Sequence, residues 1–246
     1  RRQQPGEGLL STIIGILVIA LPLMSMMVKF RFHDREKVPQ TGAVIFTPNH
    51  FTNIDPVVMG VATFHLGRLP RFMAKASILR IPVIGWLLRK SGQIPVERGG
   101  STRSSAALLA AKELVGKGRA LIVYPEGSLT RDPDIWPMRG KSGAVRLALE
   151  LGIPIVPMAH WGTQAVMARY SKKINFFPRH TVDVKIGDPV DLSEFAGKNL
   201  DSKTLNEATN KVMDAITALL EDLRGEKAPE VRWNPAEHNQ SETGRF

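Results

Sequence analysis

GAVIFTPNHFTNIDPVVMG, residues 42–60, holds a strand, a loop and a helix start in one run. GAVIFTPN (42–49) is a short apolar stretch of β character punctuated by Pro48, the pattern of a buried strand. Asp55-Pro56 then reads as a helix start, because Asp is a favoured cap and Pro fits the first helical position, where its missing N–H costs nothing. That helix is expected to continue through PVVMGVATFHL. His50, between strand and helix, has no such local job.

Working outward, the same alternation recurs. PRFMAK (70–75) and QIPVER (93–98) read as strands around a short helix, IPVIGWLLRKSG (81–92). Ser101 caps a helix over STRSSAALLAAKELVGKG, with Leu108, Leu109, Ala111, Leu114 and Val115 as its apolar stripe. RALIVYP (119–125) is a strand, KSGAVRLALELG (141–152) a helix, and IPIVPMAHW (153–161) and TVDVKIGDPV (181–190) are strands. Residues 200–225 form a long amphipathic helix with Leu205, Val212, Ile216, Leu219, Leu220 and Leu223 inward. Alternating strands and helices predict an α/β fold, a mixed β-sheet flanked by helices. The tail, 226–246, is polar, has two prolines and no periodicity, and is expected to be loosely held.

The 246 residues carry a net charge of +10 and no cysteine. The charge points to an anionic partner: a nucleic acid, an anionic membrane or a phosphorylated small molecule. Without cysteine there is no disulfide, no thiolate nucleophile and no Cys-ligated zinc, so chemistry must come from His, Ser, Thr, Asp, Glu or Lys. No GxGxxG or GxxxxGK[ST] pattern supports a dinucleotide or nucleoside triphosphate site. The basic residues are not interleaved with aromatics as in a nucleic-acid module, so nucleic acid is not expected as a partner.

LLSTIIGILVIALPLMSMMV, Leu9–Val28, is uncharged and bracketed by basic residues on both sides. Its length matches a bilayer's hydrocarbon thickness, and no small-x-small cleavage site follows it. A membrane anchor over residues 1–38 is therefore expected, as one spanning helix or, given Gly15 and Pro22, a bent helix or helix pair in one leaflet. The α/β domain would then occupy 39–225.

His50 and Glu126 both lie just past an apolar strand, where ligands collect in open α/β sheets. On one helix, residues five apart would face about 140° away from each other. With His50 in a loop and Asp55 at the helix cap, the FTNI turn can fold the imidazole back onto the carboxylate. That fixes its tautomer and makes the other nitrogen a general base. The second loop, YPEGSLTRD, offers Glu126 at the strand exit, Gly127 where the backbone must turn, the Ser128 hydroxyl, and Arg131 within reach of an anion. Between the loops, residues 67–103 carry eight Lys and Arg against Glu97 alone. Lys75 and Arg98 each end a strand-like run and are the better candidates for a phosphate contact. Ordinary turns and a cap would account for the same residues.

Four blocks in order resemble the glycerolipid acyltransferases, whose best-known members are the bacterial lysophosphatidic acid acyltransferases. NHFTNID is similar to the family's NHxxxxD block, KASILRIPVIGWLLRKSGQIPVER (75–98) to the second, YPEGSLTRD to the third, usually FPEGTRS, and IPIVPMAH (153–160) to the fourth. The resemblance covers roughly 40–190. It implies acyl transfer from a thioester, acyl-CoA or acyl-carrier protein, to the hydroxyl of lysophosphatidic acid, without metal or cofactor. It places the enzyme at the cell membrane among phospholipids, with its catalytic domain on the cytoplasmic face. His50 would be the base and Asp55 its partner. Lys75 and Arg98 would hold the acceptor phosphate, and Glu126 and Gly127 would shape the acceptor site, with Ser128 where the family commonly has Thr. One departure stands out: Leu129 and Thr130 separate Arg131 from EGS, so Arg131, Arg139 or Lys141 would supply the family's Arg. Another acceptor (glycerol 3-phosphate, a different lysophospholipid, a glycolipid) and a non-enzymatic protein binding anionic lipid are the competing readings.

Overall fold

The computed structural model describes residues 21–75, 94–96, 112–113 and 116–241. Most of the expected anchor, the helix at 81–92, the greater part of the helix opened by Ser101, and Arg98 lie outside the described residues. Among the described residues no helix is long and apolar enough to cross a membrane. Residues 21–27 are helical and run straight into the sheet, with Met24 and Met27 buried and Leu23 and Met26 exposed.

Seven strands form one mixed sheet: β1 (Val28–His33), β2 (Val44–Pro48), β3 (Pro70–Lys75), β4 (Ile94–Val96), β5 (Ala120–Ile122), β6 (Ile155–Trp161) and β7 (His180–Ile186). Their order is β1-β7-β6-β2-β5-β3-β4. β2 to β6 are parallel; β7 pairs antiparallel with β6, and β1 parallel with β7. The outer pair thus runs against the other five. β1 is an element the sequence reading assigned to the basic flank of the anchor. Its alternation of Phe30 and Phe32 with Lys29, Arg31 and His33 has a strand's period. Arg31 and His33 share Asp183 of β7, at 2.7 and 2.8 Å.

Helices cover both faces. α1 (Asp55–His65) lies on the face of Phe46, Ile122 and Val156. α2 (Gly143–Leu151) and α4 (Ser202–Arg224) lie on the face of Ile45, Leu121 and Ile155, and the four-residue α3 (Thr163–Val166) follows β6. α4 buries Leu205, Ala208, Val212, Met213, Ile216 and Leu220, a stripe of helical period, with Asp201 accepting the Thr204 N–H at 2.8 Å as N-cap and Gly225 in the left-handed region as C-cap. Both faces of β2 are buried, so its exit, and therefore His50, is held from two sides.

Residues 226–241 make specific contacts. The Ala228 N–H donates to Glu221 at 2.9 Å, Trp233 stacks on His238 at 3.5 Å, and the Trp233 carbonyl accepts the Arg139 N–H at 2.8 Å. Arg224, at the end of α4, sits over the rings of Trp136 and Trp161, at 3.9 and 4.5 Å. These contacts fasten the chain after Glu126 to α4.

Candidate active site

β2 ends at Pro48, and the chain must turn before α1. That turn wraps around one carboxylate. Asp55 is the first residue of α1, preceded by Ile54 as N-cap, and its side chain makes no cap bond to the helix. This corrects the expectation that Asp55 caps: its carboxylate faces back instead, onto residues 50–52. Oδ2 accepts the N–H groups of Phe51 and Thr52, both at 2.8 Å, and His50 Nδ1 lies 3.1 Å away. Oδ1 accepts the hydroxyls of Thr52 and of Thr163, the latter at 2.7 Å.

Asp55 is fully buried. Burial pushes its carboxyl up, but the charge that His160 and His50 carry in acid, with the hydrogen bonds from His50 and Thr52, outweighs this and holds it at about 2. An ionised carboxylate only accepts, so His50 Nδ1 carries the proton and Nε2 presents a lone pair. The His50 side chain keeps 15% of its surface exposed.

The second loop arrives at the same place. The His50 N–H donates to Glu126 Oε1 at 2.8 Å, the Thr130 N–H donates to the His50 carbonyl at 2.8 Å, and the Met138 N–H donates to Glu126 Oε2 at 3.0 Å. Glu126 therefore ties the exit of β5 to that of β2 and to the chain returning at Met138. Burial pushes its carboxyl up to about 8, against the two N–H donors that favour the ionised form. Gly127 has φ of 69°, and a Cβ there would stand 3.0 Å from the Lys141 side chain, so the turn requires glycine. Ser128 Oγ lies 3.4 Å from the Leu129 carbonyl.

Arg131 stands further along the same loop. It is buried, donates to the Tyr170 hydroxyl at 3.1 Å and lies over that ring. Arg139 and Lys141, the alternatives weighed for it, line a cleft of about 220 Å³ together with Glu126 and Ser142. Lys75 closes β3, next to β5 in the sheet, and Arg98 lies outside the described residues.

Several residues escaped the sequence reading. His160 was assigned no role, yet it is fully buried with Nε2 3.8 Å from Asp55 Oδ2. It donates Nε2–H to the Asn49 carbonyl at 3.0 Å, and burial pushes its pKa down, so it is neutral. Asn49 returns the contact with its amide, donating to the His160 carbonyl at 3.1 Å and accepting the His160 N–H at 2.9 Å, which locks β2 to β6. Gly162, with φ of 115° and no room for a Cβ beside the Thr181 carbonyl, swings the chain so that Thr163 reaches Asp55.

Another is Tyr124, whose ring lies 4.2 Å from the His50 ring. Its buried hydroxyl has no hydrogen-bond partner among the described residues, and burial, followed by the Asp55 charge, pushes its pKa well up. A buried hydroxyl left unpaired costs about 1–3 kcal/mol. Tyr124→Phe is accordingly expected to stabilise the free protein by about 1 kcal/mol, read by urea unfolding; a loss of stability would show that the hydroxyl is satisfied. Among the described residues no group of His, Asp and Glu could hold a metal ion.

An imidazole steadied by a buried carboxylate, with a free nitrogen at a strand end, is equipped to take a proton from an alcohol. Known proteins resemble the chain. The chain is 27% identical over 232 residues to the 1-acyl-sn-glycerol-3-phosphate acyltransferase of Streptococcus pneumoniae, covering 93% of this chain and 81% of that one. With the enzyme of the same name from Borreliella burgdorferi the identity is 28%, over 82% and 79%. A chloroplastic relative from Brassica napus is 32% identical over 130 residues, which is 53% of this chain but 36% of that protein. The crystal structure of the 1-acyl-sn-glycerophosphate acyltransferase of Thermotoga maritima has the same fold, with a TM-score of 0.60 at 22% identity over 88% of this chain and 81% of that one. The acyltransferase family model matches residues 29–161, more than half the chain, and the chain belongs to the acyltransferase family.

Proposed function

We propose that this acyltransferase moves a fatty acyl group from an acyl thioester, acyl-CoA or acyl-carrier protein, to the free hydroxyl of lysophosphatidic acid, producing phosphatidic acid at the cytoplasmic face of the cell membrane. The observation that carries the reading is the convergence at His50: its ring on Asp55 and its backbone N–H on Glu126. The names of the relatives supply the acceptor.

In this reading His50 Nε2 removes the proton of the acceptor hydroxyl as its oxygen attacks the thioester carbonyl. The tetrahedral oxyanion collapses, the C–S bond breaks, and the imidazolium returns the proton to the leaving sulfur. Asp55 stabilises the imidazolium through Nδ1–H. A positioned base of this kind contributes about 10²–10⁴-fold. Because a thioester is already activated, no covalent enzyme intermediate is needed. Lys75 and Arg98 hold the acceptor phosphate. The bilayer supplies the acceptor, and the apolar segment from Leu9 holds the protein there.

An acceptor panel with the purified protein tests this. Lysophosphatidic acid is expected to be used in preference to uncharged lysolipids, and Lys75→Ala to raise the KM for it about 10-fold or more, the worth of one charge-assisted hydrogen bond. Equal use of uncharged acceptors would overturn the phosphate contact. No transfer to any acceptor from either thioester would overturn the reaction.

A further inference from the structure

Because β1 and β7 oppose the other five strands, their first residues, Val28 and His180, stand at the end of the sheet where β2 and β6 deliver His50 and His160. The register gives the distance. Ile186 is level with Met158 and Pro48, and His180 lies six residues further out, roughly 20 Å at a strand's rise. The loop leading into β7 spans from the candidate active site to that outer corner. At its inner end the Tyr170 hydroxyl accepts from Arg131, and the Ser171 carbonyl lies 3.5 Å from Asn53 Nδ2. At its outer end Arg179 donates to the Val28 carbonyl at 3.3 and 3.2 Å.

Between these ties, Phe176 and Phe177 are 46% and 76% exposed. Two consecutive phenylalanines on a loop, turned to solvent, mark a contact surface rather than a stray apolar residue. Lys172, Lys173 and Arg179 are exposed on the same loop, and residues 163–182 contain no Asp or Glu. Leu23 and Met26, 44% and 60% exposed, lie in the helical residues that lead into Val28, the residue Arg179 holds. Aromatic side chains beside exposed cations, with no acidic residue on the loop, match the headgroup level of an anionic bilayer: rings at the acyl boundary, cations at the phosphates.

We propose that the loop at 171–179 is a membrane contact separate from the apolar segment that begins at Leu9. Phe176 and Phe177 enter an anionic bilayer, and Lys172, Lys173 and Arg179 bind its phosphates. Two contacts at one end of the sheet then fix the rotation of the domain, so that the loop bearing His50 faces the surface that holds its acceptor. This orienting role rests on the acyltransfer reading above; the membrane contact itself does not.

The chain has no cysteine, so a single introduced thiol can be labelled uniquely. Phe177→Cys and, at the opposite end of the sheet just after β1, Glu36→Cys each receive a nitrobenzoxadiazole label in the full chain. Vesicles of phosphatidylcholine alone, or mixed with phosphatidylglycerol, are then added. The label at 177 is expected to shift to the blue, brighten about threefold or more on the anionic vesicles, and be quenched by nitroxide lipids, as for a probe at the headgroup–acyl boundary; the label at 36 is expected to stay unchanged. No response at 177, or the same response at both positions, overturns the proposal. Reversing Lys172, Lys173 and Arg179 to Glu is expected to weaken the response to anionic vesicles by about 10- to 100-fold; an undiminished response overturns the role of the cations. Finally, Phe176→Ser with Phe177→Ser is expected to reduce transfer to an acceptor embedded in vesicles by about tenfold and to spare a short-chain acceptor in solution. Equal loss on both overturns the orienting role. Absence of transfer in the unaltered protein overturns the reaction instead, and leaves the fluorescence result standing.

Discussion

His50→Ala is expected to lower acyl transfer by about 10²–10⁴-fold while vesicle binding stays as it was. The loss follows from chemistry with no substitute nearby. His160, the other imidazole near Asp55, is fully buried, with Nε2–H donating to Asn49 and Nδ1 3.5 Å from Thr163 Oγ1, so burial keeps both nitrogens from an acceptor. Glu126 is buried too, with each oxygen taken by a backbone N–H. The fold should survive, because Asp55 keeps four donors: the N–H groups of Phe51 and Thr52 and the hydroxyls of Thr52 and Thr163. The cost of one lost hydrogen bond is about 1 kcal/mol. Single-turnover transfer and vesicle flotation, run on the same preparation, separate the two effects. Activity at the level of the unaltered protein would remove His50 from the chemistry.

The part of the site that lies along the chain was legible in the sequence, and the part that lies across it was not. The turn from β2 into α1 is local: the Pro48 punctuation, Pro56 at the start of the helix and the spacing from His50 to Asp55 suffice to bring ring and carboxylate together. Even there only half of the expected Asp55 role holds: the carboxylate meets the ring but does not cap the helix, because a cap and a backward-facing acceptor share one sequence signature. Glu126 was legible as a strand-exit residue, since ligands gather at carboxyl ends of strands. Its bond to the His50 N–H depends on β5 lying next to β2, which alternation along the chain does not dictate. His160 escaped for the same reason, because its contact with Asp55 exists only where β6 is the other neighbour of β2. β1 was hidden by its own charges: Lys29, Arg31 and His33 read as the flank of an apolar segment, and the carboxylate that receives two of them, Asp183, is about 150 residues further on. The contacts of residues 226–241 have no period to find. They are single events, such as Trp233 on His238, and polar composition says nothing of them. Arg131 was legible only as a cation near the site; its contacts with Tyr170 depend on a loop 39 residues further along the chain.

Asp55→Asn should separate orientation from charge. Among the described residues, Oδ2 faces His50 Nδ1–H and two backbone N–H donors, whereas Oδ1 faces only the hydroxyls of Thr52 and Thr163. The asparagine oxygen can therefore take the place of Oδ2, and the new NH₂ can point at hydroxyls, which turn to accept it. The imidazole keeps its tautomer and direction but loses the negative charge that balances it once protonated. Transfer is expected to fall by about 10²-fold or more, with KM for the acceptor little changed, because the charge matters only as the proton moves. Stability supplies an independent readout. The folded carboxyl titrates at about 2 against an ordinary 3.8, so the unaltered protein gains stability above 3.8 that is lost as pH falls toward 2. The difference amounts to about 2 kcal/mol. Urea unfolding should show Asp55→Asn less stable than the unaltered protein at neutral pH, and the gap should close between pH 4 and pH 2. A gap that stays constant with pH would mean that Asp55 is held by packing and not by charge, and a variant with normal turnover would mean that the imidazolium is balanced elsewhere.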